Sequence, residues 1–319
     1  MTRITSSLAA LAILLALGMS SAPVHAQLAR TFVSAASGND ANDCNRLTPC
    51  RTFQAAHDKT LSIGEITVLD PGGYGAVTIT KPISIINDGV GEAGVLVSGG
   101  ANGITIAASA LDAISLRGLT IKGIGFGGGN GIVFNSGKSL TVEHCAIRNL
   151  TGFGSTGDGI VFQSNTSGNL AVSNTLVSDN ANNGIVVAPT TNATLKAQFT
   201  RIEVYNNGVH GIIVSGGTGT INATLADSVS SNNGATGIGV GTGGGAASLM
   251  VVRSVAANNG IGIAAVQGAN VTLRVSASTV TGNTTSWVTG GGAILRSYGD
   301  NNIDGNGDAN PAPPLIVMK

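Results

Sequence analysis

The sequence predicts an all-β protein: a single-stranded right-handed parallel β-helix, a solenoid with a short N-terminal capping helix. Three observations predict it. A Gly-Ile step followed by small or β-branched residues recurs at Gly131-Ile132-Val133-Phe134, Gly159-Ile160-Val161-Phe162, Gly184-Ile185-Val186-Val187, Gly211-Ile212-Ile213-Val214, Gly237-Ile238-Gly239-Val240 and Gly262-Ile263-Ala264-Ala265. The intervals between these glycines are 28, 25, 27, 26 and 25 residues. Glycine makes up 48 of 319 residues with no three-residue period, which excludes collagen and suits small residues packed in regular turns.

The period restricts the architecture. A β-α-β unit needs about 30 residues or more, and propeller blades need about 40. The missing leucine pattern excludes leucine-rich repeats. The segments between glycines are short, alternating and β-branched, with Asn-Asn-Gly or Gly-Gly clusters between them and no helical period. One repeat cannot bury a core by itself. Stacked as coils, each strand pairs with its equivalent about 4.8 Å away. Between the glycines an apolar residue precedes another by seven, followed by Asn: Leu140, Ile147, Asn149; Leu170, Val177, Asn180; Leu195, Ile202, Asn206; Leu273, Val280, Asn283. Asn tolerates left-handed backbone and can form a ladder between coils.

The chain divides into four segments. Residues 1–26 read as a secretory signal peptide, with Arg3, an apolar run from Leu8 to Leu17 and a small-residue cleavage site at Val24-His25-Ala26. Residues 27–66 read as an N-terminal cap with a disulfide loop and a helix, 67–296 as the β-helix, and 297–319 as a C-terminal cap or tail. Pro49–Leu61 is the helical stretch, with Phe53, Ala56, Thr60 and Leu61 on one face, and it is expected to plug the N-terminal end. Pro311, Pro313 and Pro314 forbid regular pairing at the other end, where Leu315–Met318 is expected to fold back as an apolar lid.

Charge limits the partners. The whole chain carries 16 Lys+Arg and 16 Asp+Glu, and without Arg3 the balance is 15 against 16. A near-neutral chain with no basic run removes the electrostatic case for nucleic acid or an anionic membrane surface. Nothing after residue 26 reads as a transmembrane anchor, so the expected location is outside the cytoplasm, periplasmic or secreted. In such an oxidising compartment Cys44 and Cys50, with five residues between them, are expected to pair as a disulfide. Cys145 lies in a strand pattern and reads as a small buried hydrophobe.

The N-terminal run Ser37-Gly38-Asn39-Asp40-Ala41-Asn42-Asp43-Cys44 with Pro49-Cys50-Arg51-Thr52-Phe53 resembles the opening of exported bacterial right-handed β-helix repeat proteins. So do Gly64-Glu65-Ile66, Leu69-Asp70-Pro71-Gly72-Gly73-Tyr74-Gly75 and Ile79-Thr80-Lys81. The resemblance covers the mature chain and implies the pectin-lyase-like fold, which hosts lyases, hydrolases, epimerases, adhesins and inert scaffolds.

Residues before the repeat glycines should stack in one column: Asn130, Asp158, Asn183, His210 and Thr236. Asp158 and His210 are the catalytic candidates. The Asp158-Gly159 and His210-Gly211 steps are similar to those of polygalacturonases, whose Asn-Thr-Asp, Asp-Asp and Arg-Ile-Lys motifs are absent; Arg201-Ile202-Glu203 is a partial echo. Glycoside hydrolysis calls for two carboxylates, and this column has one; Asn, Asp and His before Gly are also ordinary turn formers. Asp300, Asp304 and Asp308, alternating with Asn302 and Asn306, form the candidate Ca2+ loop, without the closing Glu of an EF-hand. Glu143-His144 is a lone acid-base pair, and Arg253 and Arg274 are potential neighbours on adjacent coils.

Phe134 and Phe162 should stack in the core, and Trp287 should anchor a ligand or plug an end. Val133, Val161, Val186 and Ile213 should form an apolar outer stripe for a covering segment or a partner. The function reading ranks an exported scaffold or surface-interaction module first. Non-catalytic binding of extracellular or cell-wall polysaccharide comes second, and a polysaccharide-active hydrolase or lyase third.

Overall fold

Each β-branched run pairs with its counterpart one repeat further along, so the chain winds into three parallel sheets. The computed structural model describes residues 27–316 apart from 126, 153 and 155, and the expected signal peptide lies outside the described residues. The first sheet has eleven strands, from Leu28–Val33 to Ile294–Ser297. The second has ten, from Gly72–Gly73 to Asn302–Ile303, and the third nine, from Val77–Ile79 to Thr285–Thr289. Each coil visits first, second and third sheet in turn, and partners one coil apart are parallel, as in Leu140↔Leu170, Ile147↔Val177 and Ile160↔Ile185.

The register stacks like on like inside. On the third sheet Ile104, Ile132, Ile160, Ile185, Ile212, Ile238 and Ile263 make one inner column, and Trp287 takes its last place. Beside it Phe134 and Phe162 stack with ring centroids 4.4 Å apart. All these isoleucines are at most 1% exposed, so each contributes roughly 1.5–3 kcal/mol of burial free energy.

The repeat glycine has a steric cause. A Cβ on Gly159 would stand 2.5 Å from the Gly184 carbonyl oxygen of the next coil, and one on Gly184 2.6 Å from that of Gly211. The corner brings adjacent coils so close that only Gly fits, and the Ile that follows enters the core.

The asparagines occupy two neighbouring columns where the sequence pattern implied one. Asn149, Asp179, Asn206, Asn232 and Asn258 have φ between 56° and 57° and turn the corner. The residues after the last four of them, Asn180, Asn207, Asn233 and Asn259, are buried and, with Asn283 after the corner Gly282, form the ladder. Each Nδ2 donates to the Oδ1 of the next rung at 2.9–3.0 Å. Leu150 holds the first place in that column, so Asn149 belongs to the corner. Leu195 pairs with Gly168 and Ile221, and Ala197 is the partner of Leu170.

Both ends are covered. Thr52 caps α1 (Phe53–Lys59) by accepting from the Ala55 N–H. The helix ends earlier than Leu61 because Thr60 is extended and opens strand Thr60–Val68, leaving Leu61 on the surface. α1 packs on Leu28–Val33, Thr60–Val68 and Val77–Ile79, and Phe53 meets Tyr74 at 5.0 Å, which closes the N-terminal end. Asp70 ties this cap together, accepting from the Ser34 hydroxyl, the Ala35 and Ala36 N–H groups and the Tyr74 hydroxyl. Burial raises its carboxyl, but the hydrogen bonds outweigh it and leave the carboxyl below the ordinary value.

Cys44 and Cys50 form a disulfide, and Cys145 is a buried free thiol. At the C-terminal end the chain differs from the expected lid. Leu315 bridges Ser297 through its backbone with its side chain exposed, while Pro313 is buried and the Trp287 indole donates to the Pro311 carbonyl. Residues 317 and 318 of the expected lid lie outside the described residues.

Candidate functional site

The column before the repeat glycines is a side-chain-to-backbone ladder. Asn130 Oδ1 accepts the Asp158 N–H at 2.9 Å, Asp158 Oδ1 accepts the Asn183 N–H at 2.9 Å, and Asn183 Oδ1 accepts the His210 N–H at 3.2 Å. His210 Nδ1 in turn accepts the Thr236 N–H at 3.1 Å. Asp158 and His210 are thus separated by Asn183, which also donates its Nδ2 to Asp158 Oδ1 at 2.8 Å. Burial raises the Asp158 carboxyl against those hydrogen bonds, and burial lowers the His210 imidazole. One oxygen of the acid and one nitrogen of the base are therefore occupied by backbone.

The other candidates are dispersed. Asp300 Oδ2 accepts from the Ser276 hydroxyl, Asp304 Oδ1 from the Gly305 N–H, and Asp308 Oδ2 from the Ser286 N–H. These residues alternate in sequence, yet the coil carries them to different corners. Among the described residues no three His, Cys, Asp or Glu side chains come together to hold a metal ion. Arg253 forks onto Asp227 at 2.7 and 2.9 Å, while Arg274 reaches Ser248 on another column. Glu143 contacts His144 and Arg117 at 3.3 Å each, and Arg117 contacts Asp88, an ion network on an outer corner.

Of the expected apolar stripe, Val133 and Val161 are 3% and 7% exposed, and Val186 and Ile213 are half-buried, so the stripe is largely covered. Ile213 leans over Gly239 beside a 270 Å3 depression that His210 also lines.

A larger feature lies on the outer face of the first sheet, where sequence reasoning did not look. A depression of about 800 Å3 crosses five coils there. One column of its lining is Ser139, Asn169, Lys196, Asn222 and Ser248, and a second is Thr141, Ala171, Gln198, Thr224 and Met250. It adjoins a depression of 540 Å3, with Ser139 and Thr141 lining both, so the two make one groove along the axis. Lys196 is the only ionisable lining residue of the larger part. Asn169, Gln198 and Asn222 are exposed, and their amides bond to no other described side chain or backbone group. The signal was present in sequence as the polar partners of the alternating strands, such as Leu195-Lys196-Ala197-Gln198 and Ile221-Asn222-Ala223-Thr224. Alternation says which residues face out, but not that the face is concave.

No family model matches the chain, and no curated protein matches it in sequence. Among solved structures it is similar to XylC in complex with xylose, at 9% identity over 83% of this chain and 68% of that one, with a TM-score of 0.62. It is also similar to pectate lyase Pel9A, at 14% identity over 89% and 81% of the two chains, with a TM-score of 0.58. The protein has a pectin-lyase-like β-helix fold. Among the described residues no helix is long and apolar enough to cross a membrane.

Proposed function

We propose that this protein is a non-catalytic carbohydrate-binding β-helix that works outside the cytoplasm, holding an extended neutral polysaccharide in the groove on its first sheet. The observation that carries this reading is the lining of the groove's larger part: free amides and hydroxyls at Asn169, Gln198, Asn222 and Thr224, repeated coil after coil, with Lys196 as its one charge. Repeating polar groups about 4.8 Å apart match a ligand that itself repeats at close to that length, as an extended sugar chain does. A protein surface in its place would want an apolar centre and a polar rim.

Hydrolysis of a glycosidic bond calls for two carboxylates astride it, and none of the five depressions described has two in its lining. The pectate lyase and the xylose-bound XylC set the same fold beside carbohydrate, which supports the ligand class by analogy of fold. The Cys44–Cys50 disulfide suits an oxidising compartment, in keeping with a signal peptide at 1–26.

The test is a panel of neutral and acidic polysaccharides, scored for binding and for new reducing or unsaturated ends. The expected result is binding of a neutral chain with no new ends, weakened at least ~10-fold in the double variant Gln198→Ala/Asn222→Ala at unchanged melting temperature, as the loss of two hydrogen bonds implies. New chain ends, or silence across the panel, would reject the reading.

A further inference from the structure

The 540 Å3 end of the groove has a floor and a rim of different chemistry. Ser84, Ser115 and Thr141 lie on the floor, and Ile63, Pro82 and Leu111 bound it. Ile63 and Leu111 are 87% and 83% exposed. Ile63 has φ of 65° and is the one β-branched residue among the described non-glycine residues of positive φ. Left-handed backbone is costly for a β-branched side chain. It is held by a bulge where the register of the first two strands shifts between Leu28 and Arg30, and by the Ile63 N–H donating to the Pro82 carbonyl at 2.8 Å. Leu111 stands at a turn braced by Asp112, whose Oδ2 accepts the Ser109 N–H and whose carbonyl accepts the Lys138 N–H, both at 2.8 Å. Two large apolar side chains thus stand exposed on one rim, on backbone held by these bonds, with hydroxyls in the same lining.

We propose that this end of the groove selects glycans bearing short acyl esters, seating an O-acetyl group against Ile63 and Leu111 while its sugar lies on the serine floor. The inference rests on the proposed carbohydrate binding. An acetyl ester matches both chemistries: its methyl takes apolar contact and its carbonyl accepts from a hydroxyl. The lining offers no cation to a free carboxylate, and its one ionisable residue, Asp112, is acidic and engaged with its own turn. The continuity with the amide-lined part through Ser139 and Thr141 places the substituent on the same chain that the groove holds.

The experiment compares affinity for acetylated xylan and acetylated glucomannan with affinity for the same preparations after mild alkaline de-esterification. The expected result is ~10-fold tighter binding of an acetylated form, the scale of burying a methyl-bearing group between two apolar side chains. Leu111→Ser and Ile63→Gly should abolish that preference and leave the de-esterified affinity unchanged. Glycine accepts φ of 65° without strain, so Ile63→Gly folds at least as well as the parent and the result reads recognition. Equal binding of the two forms overturns this inference and leaves the carbohydrate-binding function intact, whereas binding of neither removes both. A concentration-dependent dimer that Ile63→Gly dissociates assigns the rim to self-association and overturns the proposal as well.

Discussion

His210 Nδ1 accepts the backbone N–H of Thr236 in the following coil, so the folded ring is neutral with its proton on Nε2. Burial lowers its pKa from the ordinary 6.5. The unfolded chain therefore binds a proton in a window where the folded chain does not, between the lowered value and about 6.5. Stability from this group is complete above that window and is lost as pH falls through it. Denaturant unfolding between pH 5 and 8 checks this. His210→Asn, which keeps an acceptor in the manner of Asn183, should flatten the profile. His210→Ala should flatten it too, at a cost of about 1–3 kcal/mol for the orphaned N–H.

The buried asparagine ladder should be the most sensitive polar element. Asn233 Oδ1 accepts from the N–H and Nδ2 of Asn207, and its own Nδ2 donates to Asn259 Oδ1 and the Val204 carbonyl. Asn233→Ala leaves several of these groups unpaired and should cost about 3 kcal/mol. A solenoid couples mainly nearest neighbours. Hydrogen exchange should accordingly show lost protection at the Asn207 amide and its adjoining coils, and little change at Ile85 or Leu116. Uniform loss along the whole chain would contradict local ladder coupling.

Gly159 should tolerate no side chain. Its Cβ would press on the Gly184 carbonyl, which belongs to the backbone of the neighbouring coil and cannot swing aside. Gly159→Ala should destabilise by more than about 2 kcal/mol, as overpacking does. Gly73→Ala, with nothing within 4 Å of the added Cβ, should stay within about 0.5 kcal/mol by the same thermal or denaturant measurement.

These glycines also show what the sequence makes legible. The Gly-Ile period registers the third sheet because a steric requirement repeats with it, so the stacking of Ile132, Ile160 and Ile185 is legible in the sequence. The Asn columns were legible only to within one residue. Corner and ladder positions adjoin, both accept Asn, and no composition signal separates Asn206 from Asn207. The Asp158–His210 column was readable as a line, but its hydrogen bonds to backbone depend on rotamers that no spacing encodes. The groove is illegible in the sequence for a different reason. Its residues are common, neutral and individually unremarked, and they become a site only when coil curvature sets Asn169, Gln198 and Asn222 on one concave face. Trp287 could be read as anchor or plug; its register opposite Ile263 makes it the plug.

The groove lining makes a final prediction about salt. A protein that holds a polyanion through many basic contacts loses affinity by orders of magnitude as salt rises. Here the larger depression has one charge, Lys196, on an exposed strand position where mobile ions screen it. Binding of a neutral polysaccharide should therefore change by less than about twofold between ~0.05 and ~0.5 M salt, because hydrogen bonds and apolar contact carry it. Lys196→Ala should likewise leave the neutral ligand within about twofold, since the loss of one screened charge is worth little. Isothermal titration across that salt series checks both. A steep salt slope would mean an acidic chain bound through cations, and Arg274, which reaches Ser248 at the end of the groove, and the corner that presents Arg117 and Arg201 beside His144 would then be the places to substitute.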